Sequence, residues 1–196
     1  MKILIANRGE IALRIIRTAK EMMIPIVAIF SPSDKKSYYV QQADESYLLD
    51  ATDDLSKTYL NISRIIEIAL QTNCSAIHAG YGFLSENSDF VNACEKANLT
   101  FIGPKNSVME LMGNKVKARK FVNELGLPIT KGLVGTKQEL LKSDVPFPVL
   151  VKAAAGGGGK GMRIVHCQNE LEEAIDTTSR EALSYFGDGQ VYIEQY

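Results

Sequence analysis

The segment VLVKAAAGGGGKGMRIV, residues 149–165, places four consecutive glycines between two lysines and between two apolar runs. The run before the glycines and the alternating run after them are typical of β-strands. Glycine has no Cβ, so a glycine loop can adopt positive φ values and bring its backbone close to a ligand. The segment therefore predicts a hairpin of two strands joined by a mobile glycine loop, with Lys152 and Lys160 supplying positive charge.

Three phosphate-binding motifs compete for this loop, and their spacing separates them. A Walker A loop does not fit, because Ala154 stands where its first glycine belongs and Gly161 follows Lys160 in place of Ser or Thr. A Rossmann fingerprint fits nominally at Gly156, Gly158 and Gly161, but it must open a helix, whereas MRIVHC alternates as a strand does. A hairpin lid that folds its N–H groups over a triphosphate remains.

The alternative to a phosphate lid is an exposed linker, which is the commoner role of glycine runs. Lys152 argues against a linker, because a lysine within the apolar strand VLVKA is costly to bury unless an anion offsets its charge. We therefore expect the loop to be a backbone clamp for phosphates, with the lysines as point charges.

Composition limits the class of protein and its partners. The chain has 196 residues, 45% of them hydrophobic, and a formal net charge of −1, which predicts one or two compact domains and no nucleic-acid partner. Apolar runs are too short for a membrane span and the first residues enter a strand directly, so we expect no membrane association and no targeting peptide. Cys74, Cys94 and Cys167 lack paired spacing, which favours reduced thiols and a cytoplasmic location.

The first hundred residues alternate short β-branched runs with amphipathic helical patterns, which is typical of βαβ units and a parallel sheet. The predicted strands are residues 2–6, 25–30, 46–49, 75–79 and 100–103. Between them, apolar residues recur at spacings of three and four, as in Ile62, Ile65, Ile66 and Ala69.

The remaining residues follow a different pattern. Residues 107–125 are predicted to form one basic helix that stops at Gly126 and connects two domains, and residues 134–148 a linker. After the glycine hairpin come a helix over residues 168–185 and a last strand, so this region is predicted to be α+β. Because the sequence stops at Tyr196 inside what reads as a strand at a sheet edge, we expect the chain to be a fragment.

Five motifs occur in one order and spacing along the chain. They are IANRGEIALRIIR at 5–17, GYGFLSEN at 80–87, FIGP at 101–104, LMGNKVKAR at 111–119 and VKAAAGGGGKGMRIV at 151–165. With them the chain resembles the biotin carboxylase family, the ATP-grasp component of acetyl-CoA, propionyl-CoA, pyruvate and urea carboxylases. The resemblance implies an α/β fold: a Rossmann-like (pre-ATP-grasp) parallel-sheet domain over residues 1–113, then the first, α+β part of an ATP-grasp domain over residues 114–196.

The resemblance also implies a reaction and its participants. In this family ATP and bicarbonate form carboxyphosphate, and the CO2 that it releases carboxylates biotin, with Mg²⁺ or Mn²⁺ spreading the phosphate charge. The implied partners are a biotin carboxyl carrier protein or domain and a carboxyltransferase, and the full-length protein is expected to be a homodimer. Such chemistry needs positioning and charge stabilisation more than a strong nucleophile.

Family positions carry over to individual residues of this chain. The implied ATP-binding residues are Lys115, Lys152, Gly157, Gly158, Gly159, Lys160, Met162, Glu194 and Tyr196. Residues implied to lie near biotin are Tyr81, Gly82 and Glu86, and those implied to contact a second subunit are Arg17 and Glu21. His78 is expected to be a packed strand-end histidine.

Two other readings stay open at this point. The chain could belong to another ATP-grasp ligase, such as a carbamoyl-phosphate synthetase or a purine-pathway carboxylase, although GYGFLSEN and the unbroken glycine run suit biotin carboxylase better. It could also be a non-catalytic nucleotide-binding or assembly module. The family's metal ligands and catalytic base are expected beyond Tyr196, so we expect this chain alone to lack carboxylase activity.

Overall fold

A computed structural model of the chain describes residues 1–154, 161–186 and 188–196. Within this part, the chain divides into two compact units, Met1–Glu110 and Leu111–Tyr196. Each unit has its own β-sheet and its own hydrophobic core. None of the helices in the described ranges has the length and apolar character needed to cross a membrane.

The first unit alternates strands and helices along the chain. Its elements are β1 (Ile3–Ile5), α1 (Gly9–Glu21), β2 (Ile26–Phe30), α2 (Tyr38–Gln42), β3 (Glu45–Leu48), α3 (Ile62–Gln71), β4 (Ala76–His78), α4 (Ser88–Lys96) and β5 (Thr100–Phe101), followed by α5 (Asn106–Met112). The five strands form one parallel sheet in the order β3-β2-β1-β4-β5. The predicted parallel sheet is confirmed, with strand ends within two residues of the prediction; the short helix α2 was not predicted.

Helices cover both faces of this parallel sheet, because successive strand residues point to opposite sides. Leu4 of β1 packs in a cluster with Ile65 of α3 and Phe90 of α4. Its neighbour Ile5 packs in a second cluster with Ile16 of α1. Burial on both faces explains why the central strands read as continuous apolar runs.

The second unit is α+β, as predicted. Its elements are α6 (Lys115–Glu124), β6 (Gly132–Val134), α7 (Lys137–Leu141), β7 (Val149–Ala153), β8 (Met162–Val165), α8 (Gln168–Phe186) and β9 (Val191–Gln195). The four strands form an antiparallel sheet in the order β6-β9-β7-β8. One face of this sheet packs on α8, through a core that includes Val151, Ile175 and Ile193.

The single helix predicted over residues 107–125 is two helices, α5 and α6. Asn114 interrupts it, because its side-chain oxygen accepts the backbone N–H groups of Val116 and Lys117, both at 3.0 Å. An asparagine at this position satisfies amide groups that a helix start leaves unpaired. The predicted end is confirmed by Gly126, which follows α6 with φ of +68°.

The predicted linker over residues 134–148 contains a helix, α7. Thr136 and Glu139 form a reciprocal capping box at its start. Leu140 of α7 is fully buried in the core of the second unit, which anchors the segment.

The last strand, β9, was predicted to lie at a sheet edge, and this was wrong. It lies between β6 and β7 and pairs with both. Period and composition identify a strand but carry no information about its neighbours in a sheet of non-sequential order.

Candidate functional site

The face of the antiparallel sheet opposite α8 carries Lys152. Strand register places Lys152 opposite Met162 of β8 and Tyr192 of β9. Residues two apart on a strand share a face, so the paired residues two positions away along these strands belong to the same surface. We use the name lysine face for six side chains of this surface: Leu150, Lys152, Met162, Ile164, Tyr192 and Glu194.

Two of the apolar side chains on the lysine face are open to solvent. Met162 is 44% exposed and Ile164 is 45% exposed, although both belong to a paired strand. Leu150, on the adjacent strand, is half-buried. An apolar strip beside a lysine suits a ligand with a flat apolar part and an anionic part, as a nucleotide has.

Lys152 is held by a carboxylate from the neighbouring strand. Its ammonium group forms an ion pair with Oε1 of Glu194. The other carboxylate oxygen, Oε2, accepts a hydrogen bond from Nη1 of Arg119 at 3.0 Å. Glu194 thus bridges two cations, which explains how a carboxylate that is only 8% exposed can be buried.

Arg119 reaches the lysine face from α6 and is fixed by several further contacts. Its guanidinium donates to the carbonyl oxygen of Thr130 at 2.6 Å and to the Thr130 hydroxyl at 2.8 Å. It also lies 5.6 Å from the ring centroid of Tyr192, within the range of a cation–π interaction. Burial raises the pKa of Tyr192 to about 12, so the phenol stays neutral where the guanidinium packs over its ring.

The same helix brings Lys115 to the end of β7. The backbone N–H of Lys115 donates to the carbonyl oxygen of Ala154 at 3.1 Å, two residues after Lys152. Lys115 and Arg119 are four residues apart on α6 and therefore share a helix face. The start of α6 is thus attached to the strand that carries the second predicted phosphate-binding lysine.

Gly132 leaves the space that Arg119 occupies. A Cβ on Gly132 would lie 2.5 Å from the carbonyl oxygen of Ile193 and 2.9 Å from Nη2 of Arg119. The carbonyl belongs to the backbone of β9 and cannot turn away. Close approach of the guanidinium to the sheet therefore depends on a glycine at this position.

Replacing Gly132 with alanine should lower the free energy of unfolding of the second unit by about 1–3 kcal/mol, the usual cost of overpacking. Amide hydrogen exchange of β6 and β9 would measure it. Gly135→Ala is the matched control, since its Cβ would approach only the side chain of Glu139 and should cost less. Equal protection in both variants would contradict the close approach.

The remaining residues of the predicted ATP set divide into two groups. Gly157, Gly158, Gly159 and Lys160 lie outside the described residues. Tyr196 follows β9, where its backbone N–H donates to the Pro148 carbonyl oxygen at 3.1 Å and its side chain is exposed. The structure therefore brings Lys152, Met162 and Glu194 onto one face, with Lys115 attached nearby by its backbone.

A separate cavity lies in the first unit, at the carboxyl ends of β1 and β4. It has a volume of about 260 Å³, and Asn7, Glu10, Tyr81 and Gly82 are among its lining residues. Asn7 holds the turn after β4 by donating from Nδ2 to the carbonyl oxygens of Ala79 and Tyr81, at 2.7 and 2.8 Å. β1 is the point from which the chain winds in both directions across the sheet, where open α/β sheets bind ligands.

Tyr81 and Glu10 form a hydrogen bond at the mouth of this cavity, with the phenol donating. The bond holds the pKa of Glu10 below its usual value and raises the pKa of Tyr81. Of the predicted biotin-proximal residues, Tyr81 and Gly82 line the cavity, whereas Glu86 is exposed in the following turn and does not.

The other predicted positions lie elsewhere on the first unit. His78 ends β4, half-buried, and its Nδ1 accepts the Gly80 N–H at 2.9 Å; burial lowers its pKa, as suits a packed neutral histidine. Arg17 and Glu21 are exposed on α1.

Comparison with known proteins identifies the family. Residues 1–109 match the family model described as the biotin carboxylase N-terminal domain. Residues 114–196 match the model described as the ATP-binding domain of the carbamoyl-phosphate synthase L chain. The first match covers more than half of the chain. The chain belongs to the biotin carboxylase family.

Similar proteins align with the whole of this chain. Biotin carboxylase 1 of Bacillus subtilis is 44% identical over 202 residues, and pyruvate carboxylase of Staphylococcus aureus is 48% identical over 200 residues; each alignment covers 100% of this chain. The chain spans 44% of the first relative and 17% of the second.

Two solved biotin carboxylase structures have the same fold over 100% of this chain. The beta-gamma-ATP complex of the enzyme from Campylobacter jejuni gives a TM-score of 0.94 at 43% identity, with 45% of that chain covered. The biotin carboxylase domain dimer of Hydrogenobacter thermophilus 2-oxoglutarate carboxylase, in complex with MgADP, ADP and bicarbonate, gives 0.95 at 40% identity, with 44% covered. The predicted family and fold class are confirmed.

Several residues of the candidate site were not predicted from the sequence. Leu150 and Ile164 belong to the lysine face, and their period-2 spacing from Lys152 and Met162 was a signal that could have found them. Arg119 was present in a family motif but was given no role, although its i+4 spacing from Lys115 places both on one helix face.

A buried polar cluster in the first unit was also missed, and no sequence signal marks it. Asp34 accepts hydrogen bonds from Tyr59 at 2.6 Å and from Arg8 at 2.7 Å. Burial, with Asp34 as a hydrogen-bond partner, raises the pKa of Tyr59 to about 12. The cluster holds Arg8, which also lines the 260 Å³ cavity, near the carboxyl end of β1.

Proposed function

We propose that this chain supplies the N-terminal domain and the first part of the ATP-grasp domain of a biotin carboxylase, which uses ATP and bicarbonate to carboxylate protein-linked biotin. The observation that carries the proposal is the lysine face, where Lys152 adjoins the exposed apolar side chains of Met162 and Ile164. A base can lie on the apolar strip while the phosphates extend toward the ammonium group.

Each ATP-binding residue has a role in this proposal. Leu150 and Met162 pack against the adenine, and Glu194 and Tyr196 line its edge. Lys115 and Lys152 contact the phosphates as point charges. The glycine loop, with Gly157, Gly158, Gly159 and Lys160, closes over the phosphates; its sequence alone supports this role.

Magnesium is expected in the complete enzyme, since the structure of the Hydrogenobacter relative is a complex with MgADP. The described residues of this chain hold no group of three or more His, Cys, Asp or Glu side chains that could bind a metal ion. We therefore assign no metal-dependent step to these residues. Their part is to bind and orient the nucleotide and to counter the charge of its phosphates.

We also propose that the cavity beside Tyr81 and Gly82 receives the biotin ring, with Glu86 near its approach. A biotin carboxyl carrier protein or domain would deliver the biotin, and a carboxyltransferase would use its carboxylated form. A homodimer would use Arg17 and Glu21 on the exposed face of α1; the Hydrogenobacter relative is described as a dimer. A domain boundary between residues 113 and 114 and a cytoplasmic location complete the proposal.

Another ATP-grasp ligase is not favoured. The family model that matches residues 114–196 is named for carbamoyl-phosphate synthase, but the model for residues 1–109 and the similar proteins described above are biotin carboxylases or biotin-dependent carboxylases.

Limited trypsin digestion tests the nucleotide part of the proposal. ATP should slow cleavage after Lys160 in the purified chain, because closure of the glycine loop over the phosphates would shield that bond, while cleavage at the exposed Lys20 of α1 stays unchanged. GTP should protect less, since Glu194 and Tyr196 are proposed to line an adenine edge. Equal cleavage after Lys160 with and without saturating ATP would refute the lid.

A further inference from the structure

Glu194 divides its carboxylate between two cations that differ in mobility. Lys152 is a single ammonium on a flexible stem, paired with Oε1. Arg119 is paired with Oε2 and is fixed in addition by the carbonyl and hydroxyl groups of Thr130 and by the ring of Tyr192. If an anion competes for one of these cations, Lys152 is the one that can move.

We propose that Arg119 is a positioning residue that retains Glu194 while Lys152 exchanges its carboxylate partner for a phosphate of the nucleotide. This inference rests on the proposed nucleotide-binding function. If Arg119 were absent, separating Lys152 from Glu194 would leave a nearly buried carboxylate without a counter-charge, which is strongly unfavourable. Arg119 removes that cost, because its own pair with Glu194 persists after the exchange.

The exchange acts on the affinity for the polyphosphate more than on the affinity for the base, because Lys152 is the group that contacts the phosphates. Without Arg119, Lys152 is the only cation that the described residues bring within 4 Å of Glu194, so the pair must break before Lys152 can contact a phosphate. Neutralising Glu194 should then undo the defect, because Lys152 would no longer be held. A residue that only supports the fold would show neither selectivity for phosphate nor this suppression.

The experiment measures dissociation constants of ATP and of adenosine for the full 196-residue chain and four variants. In Arg119→Met, the ratio of the ATP to the adenosine constant should rise about tenfold, the scale of coupling between contacting charges. In the double variant Arg119→Met with Glu194→Gln, the ratio should return to within about threefold of Glu194→Gln alone. Arg119→Lys, which keeps the charge but has fewer donors, should give an intermediate ratio and serves if the methionine variant does not fold.

Two controls separate exchange from general electrostatics. Lys117→Met removes an exposed charge from the same helix and should leave the ratio unchanged. Arg163→Met breaks a two-contact pair with Glu181 on the opposite face of the same sheet and should also leave it unchanged. Measurements at 0.15 and 0.5 M NaCl complete the design, since salt screens a long-range field but acts less on a partly buried pair.

Distinct results overturn the inference. It fails if Arg119→Met weakens the binding of ATP and of adenosine equally, or if adding Glu194→Gln does not suppress the defect. It also fails if Lys117→Met reproduces the defect, or if high salt reproduces it in the unsubstituted chain or abolishes it in Arg119→Met. In each of these cases the unsubstituted chain still binds ATP and the proposed function stands. If the unsubstituted chain binds neither ligand, the proposed function fails, and the inference fails with it.

Discussion

The variant Lys152→Gln should bind ATP roughly 10- to 100-fold more weakly than the unsubstituted chain, while its affinity for adenosine stays the same. A hydrogen bond to a charged group contributes about 1.5–3 kcal/mol, and about 1.4 kcal/mol corresponds to a tenfold change. Glutamine preserves the stem that packs on the sheet but removes the positive charge. Because Glu194 also pairs with Arg119, the variant leaves no isolated buried carboxylate, so the fold should persist.

Isothermal titration with ATP and with adenosine would measure this effect. Lys137→Gln is the matched control, because Lys137 belongs to the same unit and also pairs with carboxylates. Its partners, Glu172 and Asp176, both at 2.8 Å, belong to α8 and not to the lysine face. It should bind both ligands as the unsubstituted chain does. An equal loss in both lysine variants, or a loss of adenosine binding in Lys152→Gln, would contradict the assignment of Lys152 to the phosphates.

The sequence predicted the strands that carry the site better than it predicted what those strands contact. Period-2 patterns and glycine punctuation located β7 and β8, and the antiparallel pairing of these two strands is observed. The position of Lys152 in an apolar strand correctly predicted a neighbouring anion, but the predicted anion was the phosphate of a ligand. The structure supplies a protein anion, Glu194, located 42 residues later in the chain.

The physical reason for that omission is sheet order. Lys152 and Glu194 are diagonal neighbours on β7 and β9, which are paired although β8 and α8 intervene in the chain. Hydrophobic period records which face of a strand is buried, but not which strand lies beside it. The same limit explains why β9 was assigned to an edge.

Sequence patterns also did not predict local features that depend on a single side chain. The basic run over residues 107–125 is compatible with one helix throughout, and propensity alone does not divide it. Asn114 divides it because its side chain caps a new helix, and this break sets where α6 begins. The i+4 spacing from Lys115 indicates the helix face on which Arg119 lies, but a sequence pattern does not identify Glu194 as its partner.

Replacing Phe90 with alanine should have the largest effect on stability, lowering the free energy of unfolding of the first unit by about 3–5 kcal/mol. The Phe90 side chain is fully buried on α4 and contacts the ring of Phe101 edge to face, with ring centroids 5.9 Å apart. The substitution would leave a cavity that rigid strands on one side cannot fill. Since domains have total stabilities of about 5–15 kcal/mol, the loss would be a large fraction of the free energy of unfolding of the first unit.

Amide hydrogen exchange can assign this loss to one core, because Phe90 and Leu140 belong to different clusters. Phe90→Ala should reduce protection in β1 and β4, whose residues pack around it, and Leu140→Ala is the matched control, expected to reduce protection in β7 and β9 by about 2–5 kcal/mol. Each core is built from residues of one unit only, so each substitution should act mainly on its own sheet. If Phe90→Ala lowered protection in both sheets equally, the two units would share one cooperative unfolding transition. A loss of ATP affinity in a first-unit variant would then have to be tested for unfolding before it could be attributed to the site.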